Sequence, residues 1–317
     1  TDALQLDTPL TLPCGARVKN RLMKSAMSEQ LGDARHDPTP GLATLFTVSA
    51  DALPDERLKL LFVCAHPAID PAVRTPLMLQ TVLGLDAVKI ASAFLVAPAT
   101  MGQRLVRAKA KIRDAGLRFA VPSADELPAR LTDVLEAIYA AFGLSWEGVA
   151  GAEPGAQDLA TEALFLARLL VSLLPEEPEA RGLLALMLYC DARRPARRDA
   201  QGRFVPLAQQ DPRRWIRAMI IEAEDQLTRA ARAARFGRFQ CEAAIQSVHA
   251  QSAITGRTQH AALATLYPLL LARHPSIGAQ VSWAAAQLDA GRADAALSTL
   301  DALADADLAR HQPYWVT

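Results

Sequence analysis

The segment from Met101 to Arg113 combines a row of apolar side chains with a dense run of basic ones. Met101, Leu105, Ala108 and Ile112 recur every three or four residues, which is the spacing of one face of an α-helix. The segment carries five Lys or Arg and no acidic residue. A helix that buries this row exposes its basic side chains. Such a helix suits the major groove of DNA, where it meets phosphates and base edges.

Seven residues in and just before this segment are candidates for DNA contact. In helix-turn-helix proteins, side chains near the start of the second helix reach base edges, and basic side chains further along meet phosphates. The candidates are Thr100, Gln103, Arg104, Arg107, Lys109, Lys111 and Arg113. The first three are predicted to contact bases, and the last four are predicted to contact phosphates. The alternative is a solvated face, since basic amphipathic helices are common in all-α proteins that do not bind DNA.

A short preceding helix and a tight corner are predicted to position the basic helix. Apolar residues over 85–94, among them Ile90 and Phe94, form a stripe at roughly helical spacing. The corner falls at Val96-Ala97-Pro98. Proline has no backbone N–H and a fixed φ, so Pro98 suits the first turn of the second helix. Together the two elements predict a helix-turn-helix.

Residues 90–113, IASAFLVAPATMGQRLVRAKAKIR, resemble region 4 of bacterial sigma factors of the extracytoplasmic-function (ECF) type. The residues that carry the resemblance are Ile90-Ala91, Thr100, Arg104-Leu105, Val106, Arg107 and Ala108. Residues 53–85 resemble the first half of the same region. The resemblance implies a DNA-binding domain over 51–117 that recognises the upstream (minus-35) promoter element. It also implies docking on the β flap of the RNA polymerase core.

Residues 123–317 are predicted to form a helical extension, because apolar helical runs follow one another with short breaks, two of them from Pro178 to Ala192 and from Arg213 to Ala234. The extension resembles the C-terminal part of one group of ECF sigma factors, so the resemblance covers roughly residues 51–315. It implies that the extension regulates the factor by folding against the other modules or by binding a regulatory partner. Helices over 277–290 and 293–304, around Gly291, resemble a tetratricopeptide-type (TPR-like) pair. Ordinary antiparallel helix packing is the alternative.

Residues 1–46 follow a different pattern, with short apolar segments around a turn at Gly15 that predict a β-hairpin. The segment resembles the start of flavin oxidoreductases of the old yellow enzyme family. The residues that carry this resemblance are Pro9-Leu10-Thr11-Leu12, Gly15, Lys19-Asn20-Arg21 and Ala26-Met27-Ser28. In that family the last three lie where the strand touches FMN. One strand of eight cannot close a barrel. We therefore expect no flavin or other cofactor, and a poorly ordered or opportunistically packed remnant joined near Phe46.

The densest group of charged residues outside the basic helix lies between 191 and 215. The members predicted to bind an anion or a partner are Arg193, Arg194, Arg197, Asp211, Arg214 and Trp215. This composition suits an anionic-ligand pocket or a surface that docks on polymerase. The alternative, which we favour, is a network of ion pairs that ties a loop to the following helix, since such networks are common.

Composition restricts the classes of protein that the chain can belong to. Its 34 Lys and Arg balance 34 Asp and Glu, so any nucleic-acid surface must be local. Apolar residues make up 51% of the chain and aromatic residues 5%, which with the abundance of Ala and Leu predicts an all-α fold. The four cysteines lack metal-ligand spacing, so we expect reduced thiols, no metal and a cytoplasmic location. Neither a membrane-spanning run nor a catalytic motif occurs, so we expect no membrane partner and no enzymatic activity.

The function predicted from these observations is that of a sigma-factor-like protein, which binds promoter DNA and RNA polymerase for transcription initiation. Nothing before Leu53 resembles region 2, the module with which that family melts promoters. The resemblance therefore implies that this polypeptide does not start transcription alone. Two alternatives remain open. One is a helical-repeat scaffold that does not read DNA, and the other is a flavin-dependent oxidoreductase, as the N-terminal segment would suggest.

Overall fold

The computed structural model describes residues 10–11, 17–18, 55–94, 96–114, 122, 126–145, 156–233 and 235–303. These residues form twelve α-helices, three short 3-10 helices, one two-stranded ladder and a single β-bridge between Arg198 and Phe204. The predicted all-α class is therefore confirmed for the described part of the chain. None of the helices within these ranges is long and apolar enough to cross a membrane.

The ladder lies within the segment for which a β-hairpin is predicted. Strand β1, Leu10–Thr11, pairs antiparallel with strand β2, Arg17–Val18. Both strands are two residues long. The predicted FMN-contacting residues 26–28 and the predicted junction near Phe46 lie outside the described residues.

The chain divides into two compact units, Thr1–Ala137 and Ile138–Thr317. The helices of the first unit are α1 (Glu56–Cys64), α2 (Pro71–Thr81), α3 (Ala87–Ala93), α4 (Pro98–Asp114) and the start of α5 (Leu127–Leu144). The domain boundary expected from the sequence falls between residues 117 and 123. Helix α5 begins in the first unit and ends in the second.

The first three helices each begin after an aspartate. Asp55, Asp70 and Asp86 accept hydrogen bonds from backbone N–H groups two or three residues further on, at 2.8, 3.0 and 2.8 Å respectively. Such a cap satisfies N–H groups of the first turn that have no carbonyl partner within the helix. The aspartates therefore fix where these helices start.

The core of the first unit lies where the apolar faces of α1 to α4 meet. Leu58, Phe62, Met78 and Ile90 are all fully buried there. Helix α2 contacts α1, α3 and α4, and α3 also contacts α4. This packing holds α4 against two other helices and so determines which of its faces meets solvent.

Two arginines tie the start of α5 to the earlier helices of the first unit. Arg130, which is 4% exposed, donates to the carbonyl oxygen of Phe62 at 3.3 Å. Arg74 donates to the carboxylate of Asp133 at 2.8 Å. These long-range bonds give the physical reason that residues 127–137 belong to the first unit.

The second unit is built around one buried helix. Its elements after α5 are α6 (Ala156–Leu173), α7 (Pro178–Ala192), α8 (Arg217–Ala231), α9 (Arg238–Thr255), α10 (His260–Arg273), α11 (Ile277–Asp289) and α12 (Ala293–Asp301). Helix α7 contacts α6, α8 and α9 and is buried along most of its length, as a helix that is apolar on all sides requires. From α9 to α12, each helix contacts the next one in the chain.

Helix α8 begins four residues later than the sequence predicts, at Arg217 instead of Arg213. Asp211 caps a 3-10 turn, Pro212–Arg214, by accepting a hydrogen bond from the backbone N–H of Arg213 at 3.0 Å. Trp215 then adopts extended backbone angles and is only 6% exposed. Burial of this large side chain therefore turns the chain inward before the regular helix can start.

Candidate nucleic-acid interface

Helix α4 packs into the first unit through the apolar row that the sequence pattern predicts to be buried. Met101, Leu105, Ala108 and Ile112 are all buried, at 1, 2, 9 and 8% exposure. A four-residue connection, 94–97, joins α3 to α4, and Pro98 is the first residue of α4. Because the buried row occupies one side of a 17-residue helix, the opposite side faces solvent along its whole length.

The structure places six of the seven predicted DNA-contacting residues in solvent. Those exposed side chains are Thr100, Gln103, Arg104, Arg107, Lys111 and Arg113. One contact links two of them, since the Arg107 guanidinium donates to the Gln103 side-chain oxygen at 3.5 Å. The Arg113 guanidinium donates to the carboxylate of its neighbour Asp114 at 3.3 Å. All six thus lie on one helix and remain accessible to a ligand that approaches its outer side.

Lys109 is the exception among the seven, because it is partly buried at the edge of the packed side of α4. Burial lowers the pKa of its ammonium group, and the nearby Cys64 thiol acts in the opposite direction. Burial also raises the pKa of the Cys64 thiol to about 11. The apolar row alone does not reveal this position, because it depends on how the rest of the fold packs around α4.

The charge distribution along α4 favours an anionic partner. The helix carries five basic residues and one acid, Asp114, which is its last residue. The stretch from Pro98 to Gln103 carries no charged side chain. The partial positive charge at a helix N-terminus also attracts anions. The outer side of α4 therefore presents neutral hydrogen-bonding groups first and cations after them, and both can meet the edge and backbone of a DNA groove.

Val106 also lies on this surface, although it is not among the seven predicted DNA-contacting residues. Its side chain is 68% exposed. Within α4, all of whose residues the structure describes, it is the only large hydrophobic side chain that faces solvent. The sequence signal for it is an apolar residue that falls outside the period of the buried row.

The predicted anion-binding cluster is only partly brought together, and mostly by bonds that hold its own loop. Arg194 donates to Asp191 at 2.6 Å. Arg193 donates to the side-chain oxygen of Gln246 at 2.7 Å. The guanidinium of Arg214 donates to two backbone carbonyl oxygens, those of residues 195 and 198. One of these contacts is an ion pair, and the others are hydrogen bonds to carbonyl oxygens of the backbone and of an amide side chain.

The remaining members of that cluster also have local roles. Hydrogen bonds from the Arg213 side chain and backbone lower the pKa of the Asp211 carboxyl group. The Arg197 guanidinium lies 5.8 Å from the centre of the Phe204 ring, and burial lowers its pKa to about 10. Trp215 is buried beneath the turn. The carboxylates of this loop are thus engaged by its own arginines.

A cavity of about 280 Å³ lies within the second unit, between α9, α10 and the start of α11. The polar side chains that line it largely contact one another or neighbouring residues. Arg238 donates to Glu242 at 2.7 Å, and its guanidinium lies 5.5 Å from the ring centre of Tyr139. No group of three or more potential metal ligands occurs in the described residues. The outer side of α4 is therefore the surface with the clearest chemistry.

Comparisons with known proteins find similarity to an uncharacterised family and to an uncharacterised protein. Residues 130–231 match a family of unknown function (DUF6596). A protein of Rhizobium meliloti (strain 1021), named only as uncharacterized, is 39% identical over 251 residues, which is 79% of this chain and 59% of that protein. The chain thus spans about three fifths of the relative's length. No solved structure matches.

Proposed function

We propose that this chain is a sigma-factor-like DNA-binding protein that recognises the upstream (minus-35) promoter element and docks on RNA polymerase for transcription initiation. The observation that carries the proposal is helix α4. It follows α3 through a short connection, buries one apolar row and exposes a basic side. This is the arrangement with which the second helix of a helix-turn-helix enters a major groove.

The exposed residues of α4 divide into two roles. Thr100, Gln103 and Arg104 lie in the first two turns and contact base edges, since the start of the recognition helix is the part that reaches bases. Arg107, Lys111 and Arg113 lie further along and bind phosphates. Lys109 is partly buried and contributes less than these three.

The partners proposed beyond DNA follow from the resemblance to ECF sigma factors. A surface of the first unit docks on the β flap of the polymerase core. The helices of the second unit regulate the factor, either directly or through a further protein. Support for this role is the extent of the second unit, whose helices after α5 run from Ala156 to Asp301.

A selection from short random duplexes tests the DNA-reading role. We expect the purified chain to select one motif, with log K falling linearly as log salt rises. Three to four phosphate contacts correspond to a slope of roughly −3 to −4. Arg104→Ala and Arg107→Ala should each weaken binding about fivefold to a hundredfold, the range for a lost base or phosphate contact.

The matched control for these variants is Arg257→Ala, which removes an exposed arginine far from α4 in the sequence. It should leave affinity unchanged. A chain that selects no motif, and whose weak binding is equally insensitive to Arg104→Ala and Arg257→Ala, would contradict the proposal.

The second candidate is a helical-repeat scaffold, and the pairing of α11 with α12 favours it. Gly291 sits between them with φ of 75°, a left-handed conformation that suits glycine. Small residues, Ala284 at 0% and Ala296 at 5% exposure, are buried in these two helices. These features support the proposal of a TPR-like pair. For a pure scaffold, the arginine variants of α4 would leave any DNA affinity unchanged.

A further inference from the structure

The exposed position of Val106 has no explanation in the packing of the first unit. Its side chain is 68% exposed in the middle of α4, whereas the residues of the apolar row before and after it, Leu105 and Ala108, are buried. Valine lowers helix stability relative to alanine, because a β-branched side chain loses χ1 freedom. Val106 therefore provides neither core packing nor a favourable helix propensity at this site.

The neighbours of Val106 on the helix surface are residues of the proposed DNA interface. Residues three and four apart are adjacent on a helix. Gln103 precedes Val106 by three positions and is exposed, and Lys109 follows it by three. Arg113, also exposed, lies two turns further along the same side. Val106 thus occupies an apolar spot between a proposed base-contacting residue and a proposed phosphate-contacting one.

We infer that Val106 is a specificity-determining residue that packs against the C5-methyl group of a thymine in the major groove. This inference rests on the proposed DNA-binding function. In the major groove, thymine is the base that presents a methyl group, and small apolar side chains recognise it by contact. A branched apolar side chain cannot hydrogen-bond to any base edge. An apolar side chain among polar and basic ones therefore favours contact with the thymine methyl group, the apolar feature of the groove.

The test removes single thymine methyl groups from the DNA. After the full chain has selected its motif, each thymine of that motif is exchanged in turn for deoxyuridine, which lacks only the C5-methyl group. At one position the exchange should weaken binding by wild-type protein about fourfold, the effect of burying one methyl group. Val106→Ala should bind the thymine duplex about fourfold more weakly and should no longer distinguish it from the deoxyuridine duplex at that position.

The matched control is Val88→Ala, because Val88 of α3 is also an exposed valine, at 62% exposure. It should retain the wild-type response to deoxyuridine. Val106→Ala should fold as well as wild type, since alanine is the better helix former.

The outcomes separate this inference from the function on which it rests. If wild-type protein selects no motif, both are overturned. If a motif is selected but no deoxyuridine exchange weakens binding, or Val106→Ala responds to every exchange as wild type does, then the DNA-reading function stands and the role of Val106 is wrong. Loss of the response in Val88→Ala would likewise overturn the assignment to Val106.

Discussion

The carboxylate of Glu179, in α7, accepts two hydrogen bonds from Gln240 of α9, one from its backbone N–H at 3.1 Å and one from its side-chain amide at 3.2 Å. The other carboxylate oxygen accepts a bond from the backbone N–H of Phe239 at 2.9 Å. Both backbone groups lie in the first turn of α9, where the helix offers them no carbonyl partner. A Cβ atom on Gly237 would lie 2.3 Å from the carboxylate carbon. One side chain of the central helix therefore fixes where a helix sixty residues later begins.

Replacement of Glu179 by alanine should lower the free energy of unfolding of the second unit by about 1–3 kcal/mol, the range for a lost charged cap that leaves N–H groups without partners. Urea denaturation, followed by the fluorescence of the four tryptophans, all of which belong to Ile138–Thr317, measures this change. Glu176→Ala removes an exposed carboxylate from the same part of the chain and should change stability by less than about 0.5 kcal/mol. Superimposable curves for Glu179→Ala and Glu176→Ala would show that the cap does not stabilise the unit.

Local sequence signals predicted most of the helices, because most helix ends here have local causes. The predicted helix from Pro178 to Ala192 has the observed bounds, since Pro178 occupies its first turn and Glu177 caps it at 3.2 Å. The second helix of the proposed DNA-binding motif likewise starts at Pro98. In each case a proline sets the start, and in α4 an apolar period also sets the buried side.

Features that depend on distant residues escaped prediction. The cap that Glu179 provides to α9 joins residues sixty positions apart, and no periodic pattern in the sequence predicts it. The partial burial of Lys109 depends on how other parts of the fold pack around α4. The late start of α8 depends on the burial of Trp215. The exposure of side chains on the outer side of α4 could therefore be predicted almost residue by residue. The partial burial of side chains at its edge could not be predicted, because it is defined by packing against the rest of the fold.

The difference in burial between two lysines of α4 gives a prediction about salt dependence. Lys111 is exposed and Lys109 is partly buried. We expect Lys111→Ala to reduce the slope of log K against log salt by about 1, the effect of one lost phosphate contact, and Lys109→Ala to reduce it by clearly less. DNA titrations of both variants across the same salt series make the comparison. Equal reductions would mean that Lys109 swings out to a phosphate and that its partial burial does not persist on DNA.

Two buried cysteines should resist alkylation in the folded chain. Burial raises the pKa of both the Cys64 and the Cys241 thiols to about 11, so at neutral pH almost none of either is thiolate, the reactive form. Iodoacetamide at about pH 8 should therefore modify both slowly in native protein and rapidly in urea. Mass spectrometry of the separate peptides reads out each site. Rapid modification of Cys64 in native protein would show that the core around α1 opens readily.

Acid should destabilise the first unit through His66. Its Nδ1 accepts a hydrogen bond from the backbone N–H of Ala68 at 3.1 Å, which requires an unprotonated nitrogen there. Burial lowers the pKa of His66 below the usual 6.5, and the charges of Arg130 and Arg74 act in the same direction while that of Glu126 opposes them. The unfolded chain therefore takes up a proton below pH 6.5 that the folded unit resists. The free energy of unfolding should be level above that pH and fall as the pH drops below it.

Hydrogen exchange of peptides from α1 and α2, at about pH 7.5 and 5.5 and corrected for intrinsic rates, measures this loss of stability within the first unit. His66→Asn places a non-titrating side chain with an acceptor oxygen near the Ala68 N–H, so this variant should show a smaller loss between the two pH values. His274→Asn replaces an exposed histidine of the second unit and should leave the loss in α1 and α2 unchanged. If His66→Asn and wild type lose the same stability, another group governs the acid response, and the hydrogen bond to His66 is not what protects these helices at neutral pH.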